Sequence, residues 1–224
     1  MSLWDNERVE RYIRLYGDPR EKKGSQSLLC SDISKLVIDG SVADFGCGMG
    51  HLAAYMEDRS YLGIDSSEGM LEKAREFFPE KAAGAWDEHP REFMQADVTD
   101  MAKLGLLFDN TVAVSLALHL ERHDALSLYK TMWEHTKLRG MMIFSMETKG
   151  ESENRRSDGL LIRNQLPENV VKDIIDAIGA RDVRFAHQKI TMQTINEFYY
   201  QRDLTKITNY SPIARTTIFW IVKG

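Results

Sequence analysis

Apolar and polar positions follow two different rhythms along this chain. Val9, Tyr12, Ile13 and Tyr16 recur at i, i+3, i+4 and i+7, the period of an amphipathic helix. The stretch GDPREKKG breaks that pattern. Leu28, Leu29, Ile33, Leu36 and Val37 then predict a second helix, ending near Asp39-Gly40. From residue 41 strand-like and helix-like runs take turns. SVADF reads as a strand, GHLAAYMED as a helix, YLGID as a strand and MLEKAREFF as a helix. FMQAD is a third strand and FDNTVAVSLAL a fourth with a continuous apolar centre. HDALSLYKTMWEHT is helical, and a turn at Leu138-Arg139-Gly140 leads into the strand MMIFSM. PENVVKDIIDAIGA is a helix with Pro167 near its first turn. DVRFAHQKI and TTIFWIVKG supply two last strands.

Strands that alternate with helices and are apolar throughout predict a parallel sheet covered on both faces, an α/β doubly wound architecture. Right-handed crossovers on such a sheet place ligands at the carboxyl ends of the strands. The 224 residues suit one domain: N-terminal helices over 1–40, a cofactor-binding half over 41–147 and a substrate-side half over 148–224. The segments 148–165 and 191–215 exceed ordinary connections, and the second reads as a cap.

Composition narrows the class of partner. A net charge of −5 argues against nucleic acid, which is bound mainly through phosphate neutralisation. No run is apolar enough to span a membrane, and the charged N-terminal stretch lacks a signal-peptide core, so a cytoplasmic protein is expected. Cys30 and Cys47 fit no metal spacing, no metal is expected, and reduced thiols are the expected state.

The chemistry concentrates in Val42–Met56, VADFGCGMGHLAAYM. Gly46, Gly48 and Gly50 at alternate positions form a loop whose backbone can approach a small ligand closely. A nicotinamide site would need G-x-G-x-x-G, and His51 stands where its third glycine belongs. The lysine-serine pair of a phosphate loop is absent too. Asp44, two places before the first glycine, disfavours a phosphate and favours an amine or a sulfonium. Asp65 closes the second strand nineteen positions after Gly46, where a carboxylate can accept both hydroxyls of a ribose. Asp97 closes the third strand, within reach of an adenine amino group. Carboxylates for an amine, a ribose and an adenine describe S-adenosylmethionine.

These residues resemble the class I S-adenosylmethionine-dependent methyltransferases of the small-molecule type. The motif D-x-G-x-G-x-G is similar to Asp44-Phe45-Gly46-Cys47-Gly48-Met49-Gly50, and D-x-S-x-x-M-x-x-x-A to Asp65 through Ala74. Gln95-Ala96-Asp97-Val98 resembles the third-strand end, and Phe108-Asp109 through Ser115-Leu116-Ala117-Leu118-His119 the fourth strand. Met49 and Arg139-Gly140-Met141 depart from the family's usual threonine and Pro-Gly-Gly. The resemblance implies a Rossmann-like, seven-stranded sheet with an antiparallel last strand. It implies that Gly46, Cys47, Gly48 and Gly50 pass under the methionine part of the cofactor and that Asp44 holds its amino group. Asp65 and Ser66 would take the ribose and Ile64 would lie against the adenine. Asp97 and Val98 would bind its edge, with Met70 and Ser115 in the same motifs. His119, after the fourth strand, would orient an acceptor or act as general base, or simply fill the rim.

Other residues have two readings. Tyr12 and Tyr16 could cap the pocket or pack a helix, and Trp4 carries less. Phe198, Tyr199, Tyr200 and Tyr210 could wall a substrate or form a dimer contact, so a homodimer is open. Arg155, Arg156 and Arg163 could meet an anion or sit in solvent. The expected activity is in-line methyl transfer to a small molecule. The N/D-P-P-Y sequence expected of amino-group methylation in adenine or glutamine is missing after the fourth strand. The alternatives are an RNA or protein methyltransferase, which would need an extended basic or peptide-binding surface, and a non-catalytic cofactor-binding relative.

Overall fold

The computed structural model describes residues 6–79, 89–98, 105–148, 154–157, 160–163, 167–179, 183–187 and 215–224. Two helices come first, α1 (Asn6–Tyr16) and α2 (Ser25–Ser34). The central sheet is built from β1 (Val42–Phe45), β2 (Tyr61–Asp65), β3 (Arg91–Gln95), β4 (Phe108–Val114), β5 (Thr136–Thr148), β8 (Arg184–His187) and β9 (Arg215–Val222). The helices α3 (Glu68–Phe77), α4 (Arg122–His135) and α5 (Pro167–Ile178) connect them. The strands β6 (Asn154–Ser157) and β7 (Leu160–Arg163) form a separate antiparallel hairpin within the long 148–165 segment.

The seven strands lie in the order β3-β2-β1-β4-β5-β9-β8, with β1 through β5 parallel and β9 antiparallel to both β5 and β8. This is the doubly wound α/β sheet that the strand–helix pattern predicts, with the antiparallel last strand that the resemblance implies. Both faces are covered, because the central strands are apolar at successive positions. On one face Phe45, Phe144 and Phe219 pack with Leu128, Tyr129 and Met132 of α4 and Ile174 of α5. On the other, Val42, Tyr61, Val112 and Ile143 pack with Leu29, Cys30 and Ile33 of α2.

Several boundaries differ from the sequence pattern. The helix expected over residues 50–58 is only a short turn at Ala53–Tyr55. Met49, His51, Leu52, Ala53, Ala54 and Met56 are all buried, so this segment has no polar face to offer water and folds as a plug. The second helix ends at Ser34, well before Gly40, because Ile38 is drawn to the side chain of Asn110, which receives its N–H at 2.9 Å and donates to its carbonyl at 2.8 Å. The third strand stops at Gln95, two residues short of Asp97. The turn at Leu138-Arg139-Gly140 is a kink inside β5, with Arg139 at φ 64° and its N–H bonded to the Lys223 carbonyl at 2.7 Å. A side chain at Gly140 would stand 2.7 Å from the Asp109 carbonyl, so only glycine lets β5 pass there. The 191–215 segment with Phe198, Tyr199, Tyr200 and Tyr210 lies outside the described residues apart from Arg215, as does Trp4. No helix among the described residues is long and apolar enough to cross a membrane.

Candidate functional site

The carboxyl end of β1 runs into a loop in which Gly46, Gly48 and Gly50 all have positive φ, at 73°, 53° and 81°. Parallel pairing sets β2 beside it, Asp44 opposite Gly63 and Phe45 opposite Ile64. The carbonyl of Ile64 receives two N–H groups from the loop, Gly46 at 2.7 Å and Cys47 at 3.0 Å. Its side chain is fully buried in the core beside Phe45 and Val98.

Asp65 ties the loop to the next helix. One carboxylate oxygen accepts the Gly48 N–H at 2.9 Å, and the other accepts the Ser67 N–H at 2.9 Å. Ser67 is the cap of α3, its hydroxyl accepting the Met70 N–H at 3.3 Å. Burial raises the Asp65 pKa, while the backbone donors of Ser67, Gly48 and Ser66 oppose that shift. A carboxylate has about four acceptor positions. The Gly48 and Ser67 donors take one on each oxygen, and with Ser66 also nearby the carboxylate still has capacity for a ribose hydroxyl. Ser66 is exposed beside it, and Met70 is buried with Met49 and Val9 of α1.

Asp44 is more isolated. It is 1% exposed, and among the described residues its only hydrogen bond comes from the Tyr61 hydroxyl at 2.6 Å. Its other oxygen, Oδ1, is buried with no hydrogen-bond partner among those residues. Burial pushes its pKa from 3.8 to about 7, with Asp65 adding to the rise and Tyr61 opposing it. A buried carboxylate lacking both cation and second donor is costly unless a ligand supplies them.

Across the loop, β4 is followed by Ser115, a non-glycine residue at φ 55° whose N–H is shared between the Ser145 carbonyl and hydroxyl, both at 3.1 Å. Strained backbone of this kind persists where its surroundings hold it. Leu116 follows and lies over Gly46, where an added methyl would meet it at 2.8 Å. His119 closes the short turn Ala117–His119, against which the hairpin strand β7 packs. Burial lowers its pKa to about 4, so the ring is a neutral base at pH 7.

The structure therefore brings Asp44, Gly46, Cys47, Gly48, Gly50, Ile64, Asp65, Ser66 and Met70 around one loop, with Ser115 and His119 on the neighbouring turn. Val98 is buried in the same core cluster as Ile64. Asp97 is exposed beyond the end of β3. Cys30 and Cys47 are free buried thiols, and among the described residues no group of three or more His, Cys, Asp or Glu could hold a metal. The helix α1 packs onto the loop through Val9 on Met49, and burial together with Tyr16, Cys30, Asp65 and Asp44 raises the Tyr12 pKa strongly. Tyr12 and Tyr16 lie 4.4 Å apart, each edge-on to His51. Sequence reasoning missed Tyr61. The signal was present, since parallel pairing of two adjacent strands sets a residue two places before Gly63 near Asp44.

The residues fit an S-adenosyl cofactor on two observations: the unpartnered oxygen of Asp44, and Gly48, whose missing side chain would project into open space. Gly48→Ala is expected to lower Tm by about 2–4 °C, from about 1 kcal/mol of left-handed strain. The methyl itself would occupy the cradle, so affinity for S-adenosylhomocysteine should fall more than tenfold. Thermal melts and titration calorimetry check the two effects, and unchanged affinity would show that the loop does not face the ligand.

A family model described as a methyltransferase domain matches residues 42–140. No curated protein sequence matches the chain. Among solved structures, Haemonchus contortus phosphoethanolamine N-methyltransferase 2, in complex with phosphomonomethylethanolamine and S-adenosylhomocysteine, aligns with TM-score 0.68 at 14% identity over 97% of this chain. The chain spans 57% of that protein's length. Magnesium protoporphyrin IX methyltransferase (ChlM) from Synechocystis PCC 6803 with bound S-adenosylmethionine aligns with TM-score 0.60 at 17% identity, covering 100% of this chain and 99% of that one. The [4+2]-cyclase SpnF aligns with TM-score 0.71 at 15% identity over 97% and 96%. At these identities the likeness establishes the fold, and the cyclase illustrates that one fold serves more than one reaction.

Proposed function

We propose that this chain, whose residues 42–140 match a methyltransferase-domain model, is a class I methyltransferase that transfers a methyl group from S-adenosylmethionine to a small-molecule acceptor. The observation that carries the reading is the pair of buried acids on adjacent parallel strands, Asp44 and Asp65, flanking a glycine-rich loop in which Gly46, Gly48 and Gly50 all have positive φ. Asp44 would take the donor's ammonium, Asp65 with Ser66 its ribose hydroxyls, and Asp97 with Val98 the adenine edge. When bound, the donor supplies a methyl already activated by its sulfonium.

The chain's own task is then to align a nucleophile, exclude water and move a proton where the acceptor carries one. His119 is the candidate base, because burial keeps it neutral and able to accept at pH 7. The hairpin β6–β7 beside that turn supports a confined acceptor site. The net charge of −5 favours a small molecule over RNA. The nematode and cyanobacterial enzymes are likewise named for small-molecule acceptors.

The test uses S-adenosylmethionine labelled in its methyl group, incubated with the protein and separated metabolite, RNA and protein fractions of a cell extract. Label is expected in the metabolite fraction, and label in RNA or protein would overturn the acceptor class. With that acceptor in hand, His119→Gln should slow product formation by about 10²-fold or more while S-adenosylhomocysteine affinity stays constant. Equal rates for both proteins would remove His119 from the chemistry.

A further inference from the structure

The buried surroundings of Asp44 hold a feature that the cofactor reading does not use. The ionisable groups that face it are Tyr12 of α1, Cys30 of α2, Cys47 of the loop, and Tyr61 and Asp65 of β2. On its other side β4 presents Val112. None of these is a cation. An acid so placed has two ways to avoid a naked charge: keep its proton, or receive a positive ligand. Tyr61 decides which oxygen is available. Its ring is packed against Phe93 at 6.0 Å and is 2% exposed, and its hydroxyl fixes Oδ2, leaving Oδ1 unpartnered.

We propose that Tyr61 is a positioning residue for the cofactor: it pins one oxygen of Asp44, leaves the other for the donor's ammonium, and the pair gives up a proton to solvent as that ammonium binds. This inference rests on the methyl-donor reading of the site. Protonated Asp44 must ionise to become the counter-charge of the ligand, so binding and proton release are one linked event. The phenol favours the ionised form by donating to it. The Asp44 pKa near 7 places the linkage in the neutral range. Below that value the affinity should fall by about tenfold per pH unit, because each unit leaves about tenfold less of the ionised acid.

Titration calorimetry with S-adenosylhomocysteine, run in two buffers of different ionisation enthalpy, counts the protons. Close to one proton per ligand is expected at pH 6, and close to none at pH 8. Tyr61→Phe keeps the ring and removes the donor, so its release should shift to higher pH. Its affinity at pH 7 should fall about tenfold, recovering as the pH is raised. A role in packing alone would lower affinity equally at every pH. Ligand binding without proton release in the wild-type protein would overturn the inference, whatever the fate of the variant, and leave the methyl-donor reading standing. Absence of binding at any pH would defeat that reading, and this one with it.

Discussion

Replacing Asp65 with alanine should reduce the affinity for S-adenosylhomocysteine by about 10²- to 10³-fold. The wild-type carboxylate already accepts the Gly48 and Ser67 N–H groups, and in the proposed site its spare capacity takes the ribose hydroxyls. Hydrogen bonds to a charged group contribute roughly 1.5–3 kcal/mol each, and two to a diol would account for the loss at about 1.4 kcal/mol per tenfold. Two buried donors would also lose their partner, so a modest fall in Tm should accompany it. Asp65→Asn separates the effects: an amide still has one acceptor oxygen but places donors where the carboxylate had a second. It should retain more stability than alanine yet bind almost as weakly. Calorimetry on both variants checks this. Full affinity in the alanine variant would mean that β2 does not contribute to the cofactor site.

Asp44→Asn should make the unliganded protein more stable at pH 8 while abolishing its response to S-adenosylhomocysteine. The folded-state pKa lies near 7, above the ordinary 3.8. Between those values the native protein holds a proton that the unfolded chain has released. Stability therefore falls as the pH climbs through that window, and the deficit is complete above about pH 7. Asparagine carries no charge to bury and can still accept from Tyr61. Its advantage should be on the order of 2–4 kcal/mol at pH 8 and vanish near pH 4. Urea unfolding at the two pH values measures it. An equal loss at both would mean that the carboxylate stabilises the fold, contrary to its surroundings. Ligand should raise the wild-type midpoint by mass action and leave the variant's unmoved.

Much of this was legible in the chain because the signals are local. The strands YLGID and VADF follow from apolar runs bounded by glycine and acid, and their pairing puts Asp44 and Asp65 beside one loop. The amphipathic stripe of α1 and the period of α3 were equally plain. What the pattern could not show depends on partners distant in sequence. Ala53–Tyr55 has a helical composition, yet surrounding side chains bury Ala53 and Ala54 completely and Tyr55 in part. The second helix stops because Asn110, on β4, captures Ile38. Tyr61 reads as one more apolar strand residue, and its hydroxyl matters only once β1 lies alongside. The left-handed backbone of Ser115 is set by Ser145 on the neighbouring strand.

The place of β9, inserted between β5 and β8, governs the order in which the molecule can be assembled. When β8 emerges from the ribosome its neighbour has not been made, and β5 is still an open edge with unpaired backbone groups. Both wait for residues 215–222, so the sheet closes only once that strand has been made and the nascent chain stays adhesive until then.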